Sequence, residues 1–243
     1  MFSLKGKEVL ITGSTRGLGF ALAKRCLQEK ASVTIHGSKT KSVEDALAKL
    51  EHENAQGVVA DLREIQNIET LFKEFTHEQK PLDLFINNAG RTLTGYFLQQ
   101  ETSDLVDLLN LNTRAPLLCA KHALTLMAKN KTGTIINISS NAAAAPMPLL
   151  AAYSASKAAL SAFSKAFRAE CADEDVRLFW LEPGAIATGI TSSYTKEFIE
   201  RYDGNITRLN PDDVAEHIIH IYRSDKLNHQ HVVFEHFSAT HKS

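Results

Sequence analysis

Short runs of apolar residues recur along this chain, and most are followed by a segment whose apolar positions fall three and four apart. The first run, Glu8-Val9-Leu10-Ile11-Thr12, ends at a glycine turn, and Phe20 to Glu29 then has helical spacing. Ser32 to His36 predicts a second strand, and Ser42 to His52 predicts a helix with Leu47 and Leu50 on one face. Gly57 to Ala60 predicts a third strand, Ile65 to Thr76 a helix, and Leu82 to Asn87 a fourth strand. A long helical region from Thr102 to Asn130 follows, with a bend expected near Pro116. Gly133 to Ser139, Val176 to Leu181 and His231 to Phe234 predict three further strands. Ala151 to Cys171 and Pro211 to Tyr222 predict helices between them, the second with proline at its first position, where a missing N–H costs little.

The strand runs are apolar throughout rather than alternating. That is the pattern of strands whose two faces are both covered by helices. Repeated β-α-β order with right-handed crossovers makes the expected fold an α/β, doubly wound, Rossmann-like parallel sheet. The chain has 243 residues and no linker or low-complexity segment, so it reads as a single domain over residues 1–243.

Composition removes several function classes. A formal net charge of −1 and no dense Lys/Arg block leave no field for nucleic acid or an anionic membrane. Cys26, Cys119 and Cys171 are scattered and form no CxxC, which points away from a disulfide framework or zinc site and suits a reducing, cytoplasmic setting. The N-terminus leads straight into a strand with no signal-peptide pattern. The most apolar long stretch, Ala142 to Phe163, is broken by Pro146 and Pro148 and carries Lys157, so it makes a poor membrane span. Asn137-Ile138-Ser139 and Asn205-Ile206-Thr207 match the glycosylation pattern but lack a secretion route. His217 and His220, and the group His229, His231 and His236, have no acidic or cysteine partner completing a metal set, so no metal is expected.

Candidate chemistry lies at the ends of the strands. Thr12-Gly13-Ser14-Thr15-Arg16-Gly17-Leu18-Gly19 follows the first strand and opens the first helix. Glycines let the backbone turn sharply and approach a ligand, and the helix N-terminus offers N–H groups and a positive dipole end to a pyrophosphate. The spacing is GxxxGxG rather than GxGxxG, and alone it is equally the mark of a tight structural turn. A dinucleotide site usually has an acid at the end of the second strand for the ribose 2′-hydroxyl. Here that strand runs into Ile35-His36-Gly37-Ser38-Lys39, with no acid. Arg16, Lys39 and Lys41 could meet a 2′-phosphate, which favours NADP(H) over NAD(H); the bland alternative is a set of solvated charges. Asp61, followed by Leu62, could accept from the adenine amino group. Asn87-Asn88-Ala89-Gly90 places small residues at the carboxyl edge of the sheet, where open α/β sheets bind ligands.

Tyr153 and Lys157 lie four apart on a predicted helix and share a face. A tyrosine of ordinary pKa, about 10, is a poor base near neutrality, and a neighbouring ammonium or an oxidised nicotinamide would lower it. By itself the pair is more often a core tyrosine beside a surface lysine. Ser139-Ser140 changes that, since a serine ending the fifth strand can orient a carbonyl and stabilise its developing charge.

With these pieces together, the sequence resembles the short-chain dehydrogenase/reductase family, single-domain type. The likeness spans nearly the whole chain and rests on the glycine turn, Asp61, Asn87-Asn88-Ala89-Gly90, Asn112, Ser140, Tyr153 with Lys157, and Pro183-Gly184 followed by Thr188. The resemblance implies that Ser140 holds the substrate oxygen and Tyr153 gives or takes the proton. It implies that Lys157 lowers the tyrosine pKa and binds the nicotinamide ribose, and that Asn112 supports a proton-relay water. Asn110 and Ser139 are the neighbouring competitors for two of these roles. Gly13, Ser14, Thr15, Arg16, Leu18, Ser38, Lys39, Asp61, Leu62, Asn88, Ala89, Gly90, Pro183, Gly184, Ile186 and Thr188 become the expected cofactor contacts, together with Tyr153 and Lys157. Arg16 resembles its counterpart in NADP-preferring members.

The expected function is reduction of a ketone or aldehyde, or the reverse, with NADP(H), the substrate being a small-molecule carbonyl or alcohol. A 3-oxoacyl thioester reductase resembles the pattern most, and reductases of sugars, steroids and small ketones share it. A catalytically silent NADP(H) sensor and an epimerase or dehydratase are the alternatives. The segment from Gly189 to Asn205 is the expected substrate lid, with Leu93, Thr94, Pro146 and Met147 as further pocket walls. The resemblance implies a homodimer or homotetramer. The last strand departs from the glycine-rich ending of many tetrameric members, and Asn112 to Lys129 with Ala151 to Cys171 are the candidate dimer helices.

Overall fold

Seven parallel strands form one sheet in the order β3-β2-β1-β4-β5-β6-β7. They are β1 (Glu8–Ile11), β2 (Ser32–Gly37), β3 (Ala55–Val59), β4 (Leu84–Asn87), β5 (Thr134–Ile138), β6 (Arg177–Pro183) and β7 (His231–Phe234). The computed structural model describes residues 2–76, 80–189, 194–202, 206–225 and 231–234. Strand order reverses between β1 and β4, so the loops after these two strands part above the sheet and leave a crevice there.

The alternation of side chains across the sheet explains the continuously apolar runs. Val9 and Ile11 pack into one core, while Leu10 packs into the other. Leu84 and Ile86 divide from Phe85 in the same way, and Ile136 from Ile135. The first core is closed by α1 (Gly17–Gln28), α2 (Thr40–Leu50) and α8 (Pro211–Arg223). The second is closed by α3 (Ile65–Thr76), α5 (Ala115–Ala128) and α6 (Ala151–Asp173). At about 25 cal/mol per Å² of apolar surface removed from water, this two-faced burial is what holds the sheet between its helices.

Three differences from the expected elements have physical reasons. Helix α1 starts at Gly17, three residues early, because the glycine turn itself supplies the first helical turn. The helical region after residue 102 is α4 (Thr102–Leu109), a π-helical turn (Asn110–Arg114) and then α5. The irregularity precedes Pro116: its ring would crowd the Asn112 carbonyl four residues back, and the helix widens, with the Ala115 N–H reaching back five residues to the Asn110 carbonyl. Within the expected lid, Lys196–Tyr202 forms a helix, α7. Two turns are too few for a periodicity to show.

Candidate active site

The glycine turn is locked to the end of β4. Gly13 has φ +63° and Gly17 φ +58°. A methyl group on Gly13 would stand 2.7 Å from the Ala89 Cα, and one on Gly19 would stand 2.4 Å from the Gly13 carbonyl oxygen. Thr12 Oγ1 accepts from the N–H groups of Asn88 and Ala89, both at 3.0 Å, and Asn88 Nδ2 donates to the Thr12 and Gly13 carbonyls. The turn is thus held open as a backbone cradle rather than filled by side chains.

Beneath it, Ser14 is fully buried. Its hydroxyl donates to the Ile11 carbonyl at 2.7 Å and accepts from the His36 N–H at 2.9 Å. Among the expected cofactor contacts, therefore, Ser14 braces the turn from below, while Gly13, Thr15, Arg16 and Leu18 line the cavity. His36, which its residue type and position on β2 did not mark, lines it too. Its Nδ1 accepts from the Gly13 N–H at 3.0 Å and its Nε2 lies 2.8 Å from the Ala60 carbonyl. These partners require the neutral ring with its proton on Nε2. Burial pushes the His36 pKa down to about 4, against the Ala60 hydrogen bond and the nearby Asp61 charge.

The same cavity, about 740 Å³, runs from this turn across the carboxyl edge of the sheet. Gly37 and Ser38 line its outer end; Lys39 follows just outside it. Arg16 and Lys39 are exposed and have no ion pair among the described residues, whereas Lys41 pairs with Asp45 at 3.2 Å. Ala60 and Leu62 form one wall. Asp61 stands between them with its carboxylate engaged by Arg63, at 2.6 Å from Nη2, and that hydrogen bond holds it below the usual aspartate range. Asn88, Ala89 and Gly90 line the middle, opposite Pro183, Gly184, Ile186 and Thr188.

At the inner end three elements converge. Ser140 leaves β5 in extended conformation and caps a short 3-10 turn, Asn141–Ala143, accepting from the Ala142 N–H at 3.2 Å. Helix α6 brings Tyr153 and Lys157 to the same place. Burial pushes the Tyr153 phenol above its ordinary pKa; a hydrogen bond with Ser140 pulls it back, and Tyr194 adds to the rise. The buried Lys157 ammonium donates to the Ile138 carbonyl at 2.9 Å, and burial brings its pKa down to about 8. Burial, rather than the lysine, therefore dominates the tyrosine, and the expected lowering needs a further positive charge.

Ser139 and Ser140 divide their work. Ser139 Oγ donates to the Lys157 carbonyl at 3.0 Å and meets Ser161 Oγ, which donates to the buried Glu182. It fastens α6 to the sheet, and Ser140 alone lies beside Tyr153. Asn112, in the π-helical turn, clasps the backbone of Arg91: Oδ1 accepts from its N–H at 2.9 Å and Nδ2 donates to its carbonyl at 2.8 Å. Nδ2 also donates to Ser156 at 3.1 Å. Its side chain is thereby committed, and its main-chain carbonyl has no α-helical donor because residue 116 is proline.

Beyond Tyr153 the cavity is walled by Thr92, Met147, Leu150, Tyr194, Phe198 and Ile206. Of the expected walls, Met147 is present. Leu93, Thr94 and Pro146 are not; buried Thr94 instead accepts from the Thr195 N–H at 2.8 Å, tying the approach to α7 to the loop after β4. Among the described residues no group of His, Cys, Asp and Glu could hold a metal ion, and no helix is long and apolar enough to cross a membrane. His229 and His236 lie outside the described residues.

A family model described as short chain dehydrogenase matches residues 7–198. The 3-oxoacyl-[acyl-carrier-protein] reductase FabG of Aquifex aeolicus is 31% identical over 222 residues, spanning 89% of this chain and 90% of that protein. The 3-ketoacyl-(acyl-carrier-protein) reductase of Brucella melitensis complexed with NADH is similar in structure, with a TM-score of 0.84 at 24% identity, covering 96% of this chain and 97% of that one. A variant of actinorhodin polyketide ketoreductase with NADPH gives the same TM-score, identity and coverage. These two structures carry different nicotinamide cofactors on one fold, so the fold alone does not choose between them.

Proposed function

The chain belongs to the short-chain dehydrogenase family, and on that premise we propose that this oxidoreductase uses NADP(H) to reduce a ketone or aldehyde to an alcohol, or runs the reverse. The observation that carries the reading is the meeting of Ser140, Tyr153 and Lys157 at one end of a cavity whose other end is the glycine turn. The cradle fits a dinucleotide: Gly13, Gly17 and Gly19 line it with backbone, methyl groups on Gly13 or Gly19 would collide with Ala89 or the Gly13 carbonyl and break the turn, and the α1 N-terminus faces it. Arg16, which has no ion pair among the described residues, with Lys39 following Ser38 at the outer end of the cavity and no acid ending β2, supports a 2′-phosphate and hence NADP(H), with NAD(H) as the weaker cofactor.

The bound nicotinamide supplies the hydride. Tyr153 donates the proton to the carbonyl oxygen, or removes it from the alcohol, while Ser140 hydrogen-bonds that oxygen and holds it in line. Lys157 supplies a fixed ammonium that stabilises the phenolate left behind. The main-chain carbonyl of Asn112, which proline at residue 116 leaves without an α-helical donor, supports a water on the path by which the proton is replaced.

We read the chain as one domain with residues 189–205 as its substrate lid. Three free, buried cysteine thiols support a cytoplasmic setting. Half-exposed Val106 and Leu109 on α4 support a homodimer or homotetramer. The test is oxidation of NADPH and NADH, followed at 340 nm, against a panel of ketones, aldehydes and acetoacetyl thioesters. Turnover with NADPH preferred is expected. Tight NADPH binding without turnover of any compound would replace the reductase with a cofactor sensor.

A further inference from the structure

Resting on the reductase reading above, we infer that the substrate is a neutral alkyl or aryl carbonyl compound, whose carbonyl is its polar end and whose remainder is apolar. The inner wall of the cavity is one continuous apolar cluster. Phe198 of α7 is buried at its centre, with Tyr194 at 4.6 Å and Tyr202 at 5.3 Å between ring centroids. Leu149 and Leu150 complete its core, and Met147, Ile206 and the Tyr153 ring itself pack against it. The proton donor is therefore embedded in the surface that would receive the substrate. A ligand lying against it loses contact with water around its carbon skeleton, which is favourable only where that skeleton is apolar.

The charges near this wall are already committed. No aspartate or glutamate lines the cavity among the described residues, so none of them offers a cationic substrate a partner. Arg91, the arginine at the inner end, is paired with Asp104 at 3.0 Å, and its backbone is clasped by Asn112. Lys157 is turned onto the Ile138 carbonyl. Arg16 has no ion pair among the described residues, but it stands at the glycine turn, at the opposite end. A carboxylate or phosphate at the far end of the substrate, against Phe198 and Ile206, would lose its hydration with no cation lining that wall among the described residues, and that loss is costly. The neutral polar groups there, Asn141 and Thr92, can meet a hydroxyl but not balance a charge.

Matched pairs of substrates test this with the whole protein and saturating NADPH. One pair is 2-octanone and 7-oxooctanoate; the other is acetophenone and 4-acetylbenzoate. The neutral member is expected to have a kcat/KM at least about tenfold higher in each pair. In Met147→Lys, which puts a cation of similar length on the wall, the ratio should shift towards 7-oxooctanoate by about tenfold or more. In Phe198→Ala, 2-octanone should lose kcat/KM by a larger factor than 2-butanone, whose shorter chain buries less apolar surface against the wall. Equal or better turnover of the carboxylates by the unmodified protein would overturn this inference and leave the reductase reading standing, as would an unmoved ratio in a folded Met147→Lys protein. No turnover of either member, with NADPH bound, would overturn both.

Discussion

The backbone N–H of Gly13 is bonded to the imidazole Nδ1 of His36 at 3.0 Å. A side chain of the second strand thus fixes the first glycine of the cofactor turn, and the same ring is anchored at its far side to the Ala60 carbonyl. Asparagine can reproduce the near acceptor and glutamine the far donor, while leucine reproduces neither. Leaving the Gly13 N–H unsatisfied costs about 1–3 kcal/mol, roughly tenfold or more in affinity. His36→Gln and His36→Leu should therefore raise the NADPH Kd by about tenfold, with kcat at saturating cofactor nearly unchanged, while His36→Asn stays close to the native value. Fluorescence titration of NADPH checks this. Equal Kd values across the series would reduce His36 to a packing residue.

The same histidine makes stability depend on pH. Its folded pKa, about 4, lies below the ordinary value, so the unfolded chain takes up a proton that the folded protein refuses. The contribution is fully present above about pH 6.5 and is lost as pH falls from 6.5 to 4, by about 3 kcal/mol in all. Urea unfolding at pH 7.5 and pH 5 should show His36→Asn losing less stability over this interval than the native protein.

Lys157 runs the opposite way from most ion-binding groups. Its ammonium is buried, with the Ile138 carbonyl as its acceptor, and its pKa is lowered to about 8. Below pH 8 the fold carries the burden of a desolvated charge. The burden shrinks as pH rises from 8 towards 10.5, where the unfolded lysine also loses its proton. Lys157→Met should thus gain about 1–2 kcal/mol of stability at pH 7 and nothing near pH 10.5, while turnover nearly disappears. Thermal unfolding at the two pH values, beside an activity assay, measures both halves. A loss of stability at pH 7 would mean the ammonium is better compensated than its surroundings indicate.

Tyr153→Phe removes one oxygen and keeps the ring that packs against the apolar wall. Losing a positioned proton donor lowers kcat by about 10²–10⁴. NADPH binding, which we assign chiefly to the glycine turn at the other end of the cavity, should stay within about threefold. Single-turnover kinetics and a binding titration separate the two effects. Retained turnover would show that another group handles the proton.

Much of this arrangement was legible along the chain because the sheet is buried on both faces. Uninterrupted runs such as Leu84-Phe85-Ile86 stand out from the surrounding helices, and the polar residues that end them fall at one edge of the sheet. What stayed hidden depends on contacts between distant segments. A lone histidine at the end of a strand gives no sign that its ring reaches Gly13, 23 positions earlier. Ser14 looked like a ligand contact because it sits in the glycine turn, yet its hydroxyl is consumed beneath it. Pro116 implies an irregular helix, but only the fold shows the widening centred four residues ahead of it, on Asn112. Helix α7 is too short to display a period, and its single deeply buried residue, Phe198, becomes visible only through the aromatic rings packed on it.

Cofactor choice should follow the exposed cations at the outer end of the cavity. Arg16 caps α1, lines the cavity and has no ion pair among the described residues; Lys39 caps α2 beside Ser38. A 2′-phosphate placed between them would gain two charge-assisted hydrogen bonds that a 2′-hydroxyl cannot make. Exposed pairs are weakened by water and salt, so each cation is worth about 1 kcal/mol rather than several. Arg16→Ala should lower kcat/KM for NADPH by about fivefold to tenfold, and the double variant with Lys39→Ala by about 30-fold or more, while NADH changes little. The proposed preference for NADPH should also shrink as salt rises from 0.05 to about 0.5 M, because the Debye length falls well below the span of the site. Rates with both cofactors across that salt range decide the matter. An NADH rate that falls in step with the NADPH rate in the double variant would mean that the two cations support the turn as a whole and do not read the phosphate.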